Sequence, residues 1–167
     1  MIFVTTGTQA PFNRLIRAME EIAGELVDEE VVAQAFGVDF VVRNMKIVEF
    51  LTPEEYMGIF SKARLIISHA GMGTIISALK ERKPIIIVPR IAAYGEHRNE
   101  HQLATANKIA QLNYMPVVYN MDELREVVLG THSGSNVLFT MPELGDTASQ
   151  SLISSIQEFM IAARKPR

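Results

Sequence analysis

The sequence predicts an α/β domain in which helices cover both faces of one parallel sheet, the doubly wound arrangement. Short apolar runs alternate along the chain with longer amphipathic stretches, as they do in proteins with parallel sheets. The most β-like run, residues 85–88, is apolar at every position, which indicates a central strand buried on both faces. The length of 167 residues fits a single domain over 1–167.

The predicted strands are short apolar segments rich in β-branched residues. They cover residues 2–6, 31–36, 46–50, 65–68, 85–88 and 115–119. Strands separated in this way by helical stretches pair in parallel, because each crossover leaves room for a helix. The sequence therefore predicts a Rossmann-like sheet.

Helices are predicted between these strands from apolar residues at helical spacing and from residues that begin helices. Pro11 and Pro53 suit the first turn of two helices, and Asp122 is the expected N-cap of a helix over 123–129. A further helix runs from the turn at 71–74 to about residue 82, and another contains residues 103–110. A loop at 130–142 and a terminal helix and tail over 146–167, with the helix at 146–163, complete the chain.

Composition excludes several classes of function. The chain has no cysteine, so disulfides, a cysteine nucleophile and thiolate metal sites are absent. A formal net charge of −3 argues against a nucleic-acid binder, whose affinity rests on an excess of cations. No apolar run approaches the ~20 residues that cross a bilayer, and no basic leader precedes the first strand. We therefore expect a cytoplasmic protein.

The strongest functional signal is the turn Ser68-His69-Ala70-Gly71-Met72-Gly73-Thr74 between a predicted strand and a helix. Glycine lets the backbone approach a ligand closely, and the free amides of a helix start face an anion, most naturally a diphosphate. The turn lacks the lysine of a Walker A loop, and Ile76 replaces the third glycine of the dinucleotide fingerprint. By itself the pattern also fits a tight turn with a helix cap.

Two other polar segments are expected at the same edge of the sheet. Gly7-Thr8-Gln9 follows the first strand, and the long connection over 90–102 follows the strand at 85–88. Ligands of open α/β sheets bind where the carboxyl ends of the strands meet. Arg90 is expected to face a phosphate, and amide and imidazole groups such as Asn99 are expected to bond ribose or sugar hydroxyls.

One motif points to different chemistry. His97-Arg98-Asn99-Glu100-His101 matches the pattern of inverted zinc peptidases. That motif needs a helix through both histidines, whereas Pro89 and Gly95 indicate that His97 lies in a loop. We expect no metal site here.

Together these segments resemble the C-terminal, donor-binding domain of glycosyltransferase family 28. The resemblance is clearest over residues 46–114 and at the start of the chain, 4–9, and it covers most of the chain up to about residue 130. It is carried by Val48-Glu49-Phe50-Leu51, the turn at 68–74, Lys83-Pro84-Ile85-Ile86-Ile87-Val88-Pro89 and His101-Gln102-Leu103.

The run at 95–102 is most similar to small bacterial exopolysaccharide and capsule glycosyltransferase subunits. These are counterparts of the catalytic subunit of the dolichol-linked N-acetylglucosamine transferase. The resemblance implies a fold equivalent to the C-terminal half of a GT-B glycosyltransferase.

The resemblance implies an inverting enzyme that transfers a hexose or N-acetylhexosamine from a UDP-sugar to a lipid-linked acceptor in polysaccharide biosynthesis. It implies no cofactor, because the UDP-sugar is a substrate. Many relatives carry an acidic residue for the ribose where this chain has Ser77, whose hydroxyl binds more weakly than a carboxylate. The general base is unassigned, with His69 and His97 as candidates.

The resemblance also implies which residues bind the donor. The backbone near Leu51 is expected to bind uracil, and His101 and Gln102 are expected to bind the donor sugar. The residues expected to bind the diphosphate are Thr8, Gly71, Met72, Gly73 and Thr74.

The active site of a GT-B enzyme lies between two domains, and a chain of this length supplies one of them. The resemblance therefore implies a membrane-anchored partner that binds the acceptor and holds this chain at the inner face of the membrane. The alternative is a non-catalytic nucleotide-sugar-binding subunit that regulates or tethers another enzyme.

Overall fold

Five parallel strands form one sheet in the computed structural model, which describes residues 1–113 and 115–133. The spatial order is β3-β2-β1-β4-β5, and every neighbouring pair is parallel. Strand order therefore reverses between β1 and β4, which makes that junction the topological switch point of the sheet. The strands are β1 (Ile2–Thr5), β2 (Val31–Gln34), β3 (Lys46–Val48), β4 (Leu65–His69) and β5 (Ile85–Val88).

Helices cover both faces of this sheet, which confirms the predicted doubly wound fold. Ile2 and Val4 of β1 belong to the apolar cluster formed with α1 and α5, whereas Phe3 belongs to the cluster formed with α2, α3 and α4. This alternation follows from the period of two along a strand. The helices in the described residues are α1 (Asn13–Glu25), α2 (Pro53–Lys62), α3 (Met72–Lys80), α4 (His101–Leu112) and α5 (Met121–His132).

The prediction that β5 is a central strand is wrong in one respect. Ile85–Val88 is buried at every position, but it forms an edge of the five-stranded sheet. Its outer edge is covered by an extended segment in which Ile87 and Val117 form a single parallel bridge. The strand predicted at 115–119 is reduced to this bridge because Pro116 has no N–H for a ladder. The apolar residues of β5 therefore indicate that both of its faces are buried, but they do not indicate whether the strand lies at the centre or at the edge of the sheet.

The start of α5 also differs from the prediction. Asn120 is the N-cap, and its Oδ1 accepts a hydrogen bond from Asp122 N at 2.8 Å. Asp122 lies in the first turn, where its charge suits the helix dipole. The helix continues to His132, so residues 130–132 of the predicted loop are helical. Ser133 is the C-cap of this helix, and residues 134–142 of the predicted loop, the predicted helix at 146–163 and the tail lie outside the described residues.

Within 1–113 and 115–133, no helix combines the length and the apolar character needed to cross a bilayer.

An ionic cluster around Glu29 joins the amino-terminal ends of three strands. Its carboxylate accepts hydrogen bonds from Arg64 Nε at 2.6 Å and from His132 Nδ1 at 3.0 Å. It also pairs with the Met1 ammonium at 3.2 Å. Burial pushes the pKa of Glu29 upward, but the bonds from Arg64, the ammonium and His132 more than offset it and lower the pKa to about 2.

We expect Glu29→Gln to lower the free energy of unfolding by about 1–3 kcal/mol at neutral pH, because the cluster loses its acceptor charge. The pKa in the folded state lies below the ordinary 4.5, so the contribution is present above that value and is lost as the pH falls toward 2. Urea unfolding of both proteins over a pH series should show stabilities that converge in acid. Glu30→Gln, at an exposed neighbour without an ion pair in the described structure, is the control. A difference independent of pH would contradict the assignment.

Candidate functional site

A cleft of about 340 Å³ opens at the carboxyl edge of the sheet, where the turns after β1 and β4 meet the connection after β5. We call it the switch-point cleft. The structure thus brings together the three polar segments that the sequence placed at one edge. The predicted site residues that line it are Thr8, His69, Gly71, Gly73, Thr74, Arg90, His97, His101 and Gln102.

Unpaired main-chain amides lie at the start of α3. Gly71 is the N-cap, and the N–H groups of Met72, Gly73 and Thr74 have no acceptor among the described residues. The Gly71 N–H differs, because it donates to His69 O at 2.8 Å. The free donors are therefore those of 72–74, and the positive end of the helix dipole adds to them. Such a helix start binds anions.

The imidazole of His69 explains the glycines in both turns. A Cβ at Gly71 would lie 2.3 Å from His69 Nε2. At Gly7, where φ is +70°, a Cβ would lie 2.8 Å from His69 Cε1. A side chain at either position would force the His69 ring to move, so the two turns close on the same ring. Gly73 is different, because no atom lies within 4 Å of its Cβ position.

His69 is neutral at pH 7. Burial lowers its pKa to about 4 with a further contribution from the charge of Arg90, and the contact of Nδ1 with Thr5 O opposes the shift. That contact is 3.4 Å long and ties the ring to the end of β1. A half-buried neutral ring held in this way is suited to spacing the two glycine turns.

The prediction that Arg90 faces a phosphate is corrected by its hydrogen bonds. Arg90 is only 2% exposed. Its Nη1 donates to Pro11 O at 2.8 Å and to Glu96 O at 3.1 Å. Its Nη2 donates to Thr6 O at 2.7 Å and to Ala10 O at 2.5 Å. These carbonyls take all four Nη hydrogens, so Arg90 holds the turn after β1 in place instead of offering them to a ligand.

The connection after β5 is fixed by a second arginine. Arg14 donates to both carboxylate oxygens of Glu96, at 2.7 and 3.0 Å. Its guanidinium lies 5.3 Å from the Phe12 ring centroid and 5.5 Å from that of Tyr94. Glu96 Oε2 also accepts from Ile91 N at 2.9 Å. The connection after β5, which forms one wall of the cleft, is therefore held in place by the Arg14–Glu96 ion pair and by the hydrogen bond from Ile91 N to Glu96.

Four predicted ligands do not line the switch-point cleft. Leu51 follows β3 and packs against the core, Ser77 is half-buried on α3, and the Met72 side chain is 53% exposed. Asn99 lines an adjoining cleft, and its Oδ1 accepts from His101 N at 3.2 Å.

The zinc-peptidase pattern is broken by the start of α4. The helix begins at His101, so His97 lies in the loop, as the sequence predicts. His97 Nδ1 lies 3.1 Å from Asn99 O. In the described part of the chain, no group of three or more His, Asp or Glu side chains is arranged to hold a metal ion.

A five-stranded parallel sheet of this order, with helices on both faces, defines a Rossmann-like α/β fold. Solved structures with the same fold include glycosyltransferases of the GT-B type. The chain belongs to the family of the glycosyltransferase family 28 C-terminal domain, whose model matches residues 1–156.

Several known proteins are similar to this chain. The UDP-N-acetylglucosamine transferase subunit ALG13 of Debaryomyces hansenii is 25% identical over 139 residues, covering 81% of this chain and 62% of the relative. The chain thus spans less than two thirds of that protein. The NMR solution structure of ALG13 has a TM-score of 0.53 at 20% identity and covers 93% of both chains. UDP-GlcNAc 2-epimerase from Neisseria meningitidis bound to UDP-GlcNAc has a TM-score of 0.60 at 13% identity, covering 98% of this chain and 44% of the epimerase. The structural matches show the fold alone. These relatives do not support the narrower resemblance to bacterial exopolysaccharide and capsule subunits.

Proposed function

We propose that this chain is the donor-binding, catalytic subunit of an inverting glycosyltransferase that uses a UDP-sugar. The observation that carries the proposal is the set of unpaired amides at Met72, Gly73 and Thr74 beside the switch point. Membership of family 28 supports transfer of a sugar from a nucleotide donor. The name of the ALG13 relatives supports UDP-N-acetylglucosamine as that donor.

The mechanism rests on stabilising the leaving group. As the bond from the sugar to UDP breaks, negative charge develops on the β-phosphate, and donors that are already oriented lower the barrier. A helix start alone contributes only about 0.3–2 kcal/mol. The hydroxyls of Thr8 and Thr74, which line the same cleft, therefore join the amides in meeting the diphosphate. No metal or cofactor takes part in this proposal.

The first turn of α4 faces the glycine turn across the cleft and is assigned to the donor sugar. Gln102 Oε1 accepts from Arg90 N at 3.2 Å, which leaves the Gln102 amide hydrogens for a sugar hydroxyl. His101 lines the cleft beside it. Uracil is assigned to the backbone near Leu51 and the ribose to Ser77, both outside the cleft.

His97 is the better of the two candidates for the general base. His97 Nδ1 lies 3.1 Å from Asn99 O and 3.4 Å from Asn99 N, and we assign to it the tautomer in which Nδ1 donates to Asn99 O and Nε2 keeps its lone pair. His97 lies in the loop at the wall of the cleft. In contrast, the Nε2 of His69 points into the turn at Gly71, so His69 is assigned to positioning that turn.

The second wall of the active site is proposed to come from a membrane-anchored partner that binds a lipid-linked acceptor of polysaccharide or oligosaccharide synthesis. This partner would hold the chain at the inner face of the membrane. Affinity capture with the full chain from native membranes should recover such a protein. Recovery of no second subunit would count against this part of the proposal.

Calorimetric titration of the full chain with UDP, UDP-N-acetylglucosamine and ADP tests the donor assignment. We expect saturable binding of the two uridine nucleotides, with NMR shifts of the amides of 72–74. In the enzyme reconstituted with its partner, His97→Ala should keep the affinity for UDP and lower kcat by about 10²–10⁴-fold. Absence of UDP binding, or shifts confined to another surface, would refute the proposal.

A further inference from the structure

The ion pair between Arg14 and Glu96 joins two segments that lie 82 positions apart in the chain. Arg14 Nε and Nη2 donate to the two carboxylate oxygens of Glu96, at 2.7 and 3.0 Å. The side chains of Arg14 and Glu96 are 20% and 9% exposed, so solvent screens this pair less than it screens a surface pair. The pair therefore fixes the connection after β5 against the first turn of α1.

Arg14 occupies a position that its own helix does not favour. It lies in the first turn of α1, where the positive end of the helix dipole disfavours a cation. That turn contains no acidic residue, and the N-cap Phe12 makes no side-chain hydrogen bond to it. A residue that conflicts with a local rule indicates a requirement from elsewhere in the fold. The side chain of Arg14 accordingly bonds to groups outside α1, which are Glu96, Pro89 O at 2.9 Å and Tyr119 O at 3.3 Å.

Glu96 is held through both its side chain and its main chain. Besides the two bonds from Arg14, its Oε2 accepts a hydrogen bond from Ile91 N at 2.9 Å. Its carbonyl oxygen accepts a hydrogen bond from Arg90 Nη1 at 3.1 Å. Because both carboxylate oxygens are engaged, Glu96 is not free to take a proton from a substrate. It anchors the residue that follows it, His97.

On its other side, His97 is tied to the start of α4. His97 Nδ1 lies 3.1 Å from Asn99 O. Asn99 Oδ1 in turn accepts a hydrogen bond at 3.2 Å from the N–H of His101, the first residue of α4. The segment 96–99 therefore runs between two fixed points, Glu96 and the start of α4. His97 lines the switch-point cleft from this segment.

We propose that Arg14 and Glu96 are positioning residues, which act on the transfer reaction through His97 without touching the substrate. The pair holds the segment 96–99 so that the His97 imidazole keeps a single tautomer and a single orientation at the cleft. A base contributes to the rate only while its lone pair faces the proton that it takes, and a displacement of about 1 Å costs about a hundredfold. This inference rests on the proposed function, in which His97 is the general base.

Nitrogen-15 NMR of the histidine rings in the full chain tests this positioning directly. The shifts of Nδ1 and Nε2 show which nitrogen carries the proton, and at about pH 8 an ordinary imidazole is neutral. We expect one tautomer of His97 in the wild type, protonated at Nδ1, and a mixture of both tautomers in Glu96→Gln. Arg14→Lys keeps the cation but loses the planar fork, so it should give the same mixture and serves if Glu96→Gln does not fold. A single tautomer retained in the folded variants would overturn the proposal.

Kinetics of the enzyme reconstituted with its partner provide the second test. Glu96→Gln should lower kcat about 10–100-fold, while KM for the UDP-sugar and the affinity for UDP stay within about threefold. A double-mutant cycle with His97→Ala separates positioning from a general loss of structure. In the His97→Ala background, Glu96→Gln should lower kcat no further, because the group on which it acts is absent. A further loss in that background would show that Glu96 acts elsewhere.

The matched control is Asp39→Asn, which removes another ion pair to α1. Asp39 pairs with Arg17 at 2.7 Å, both side chains are more than half exposed, and neither lines the switch-point cleft. This variant should keep the wild-type tautomer of His97 and the wild-type kcat. If UDP does not bind the wild type, or His97→Ala keeps its kcat, the proposed function itself fails. If both behave as proposed and Glu96→Gln keeps its kcat, only the positioning role is overturned.

Discussion

Gly73→Asp is expected to weaken UDP binding by about a hundredfold or more while leaving the fold at least as stable as the wild type. The residue is in the first turn of α3, and its Cβ position is open, so the side chain causes no clash. A carboxylate there is favoured by the helix dipole by about 0.3–1 kcal/mol. The same charge occupies the anion site, and two like charges in contact cost several kcal/mol in a complex. Calorimetry with UDP and urea unfolding measure the two effects separately.

The control for this prediction is Gly73→Asn, which has nearly the same size and no charge. We expect Asn to weaken UDP binding far less than Asp, by about tenfold at most, because Asn adds no negative charge beside the diphosphate. Equal losses with Asp and Asn would mean that shape and not charge excludes the nucleotide. Wild-type affinity in the Asp variant would show that no diphosphate binds at 72–74.

Arg90→Ala is expected to have the largest effect on stability, a loss of about 3–5 kcal/mol in the free energy of unfolding. The guanidinium satisfies four main-chain carbonyls, and its removal leaves buried acceptors without donors. Burial lowers the pKa of Arg90, and the charge of Glu96 opposes that shift. Urea unfolding followed by circular dichroism measures the loss of stability.

Arg90→Lys separates charge from geometry. Lysine keeps the cation but carries three donors on one nitrogen, so it cannot span carbonyls from two different loops. We expect an intermediate loss of stability. Arg98→Ala, at an exposed arginine of the same connection, should change stability by no more than about 0.5 kcal/mol. A loss for Arg90→Ala as small as that for Arg98→Ala would show that the turn after β1 is held by other contacts.

Much of the fold could be predicted from local pattern. The helix at Pro53 begins where expected because Thr52, Pro53 and Glu55 together specify a capped start. The buried strands were recognisable because their apolar character follows directly from burial on two faces. The glycine turn at 68–74 was recognisable for the same kind of reason, since a helix start after a strand leaves amides unpaired wherever it occurs. Near neighbours determine each of these features.

The position of β5 and the role of Arg90 could not be predicted in this way. Apolarity along 85–88 is the same for a central strand and for an edge covered by a bridge, so only the pairing distinguishes them. From its position directly after the strand at 85–88, Arg90 was expected to face a phosphate. Its real partners Thr6, Ala10 and Pro11 lie 79 to 84 positions away.

By itself, the sequence determined the order of the elements, the faces that they bury and the turn that presents free amides, because these depend on residues a few positions apart. Only the tertiary structure decided that one imidazole, His69, requires both Gly7 and Gly71, and that Asn99 belongs to a second cleft beside the first. These features arise where distant loops meet at the switch point. Their contacts depend on how the strands pair, which no local pattern encodes.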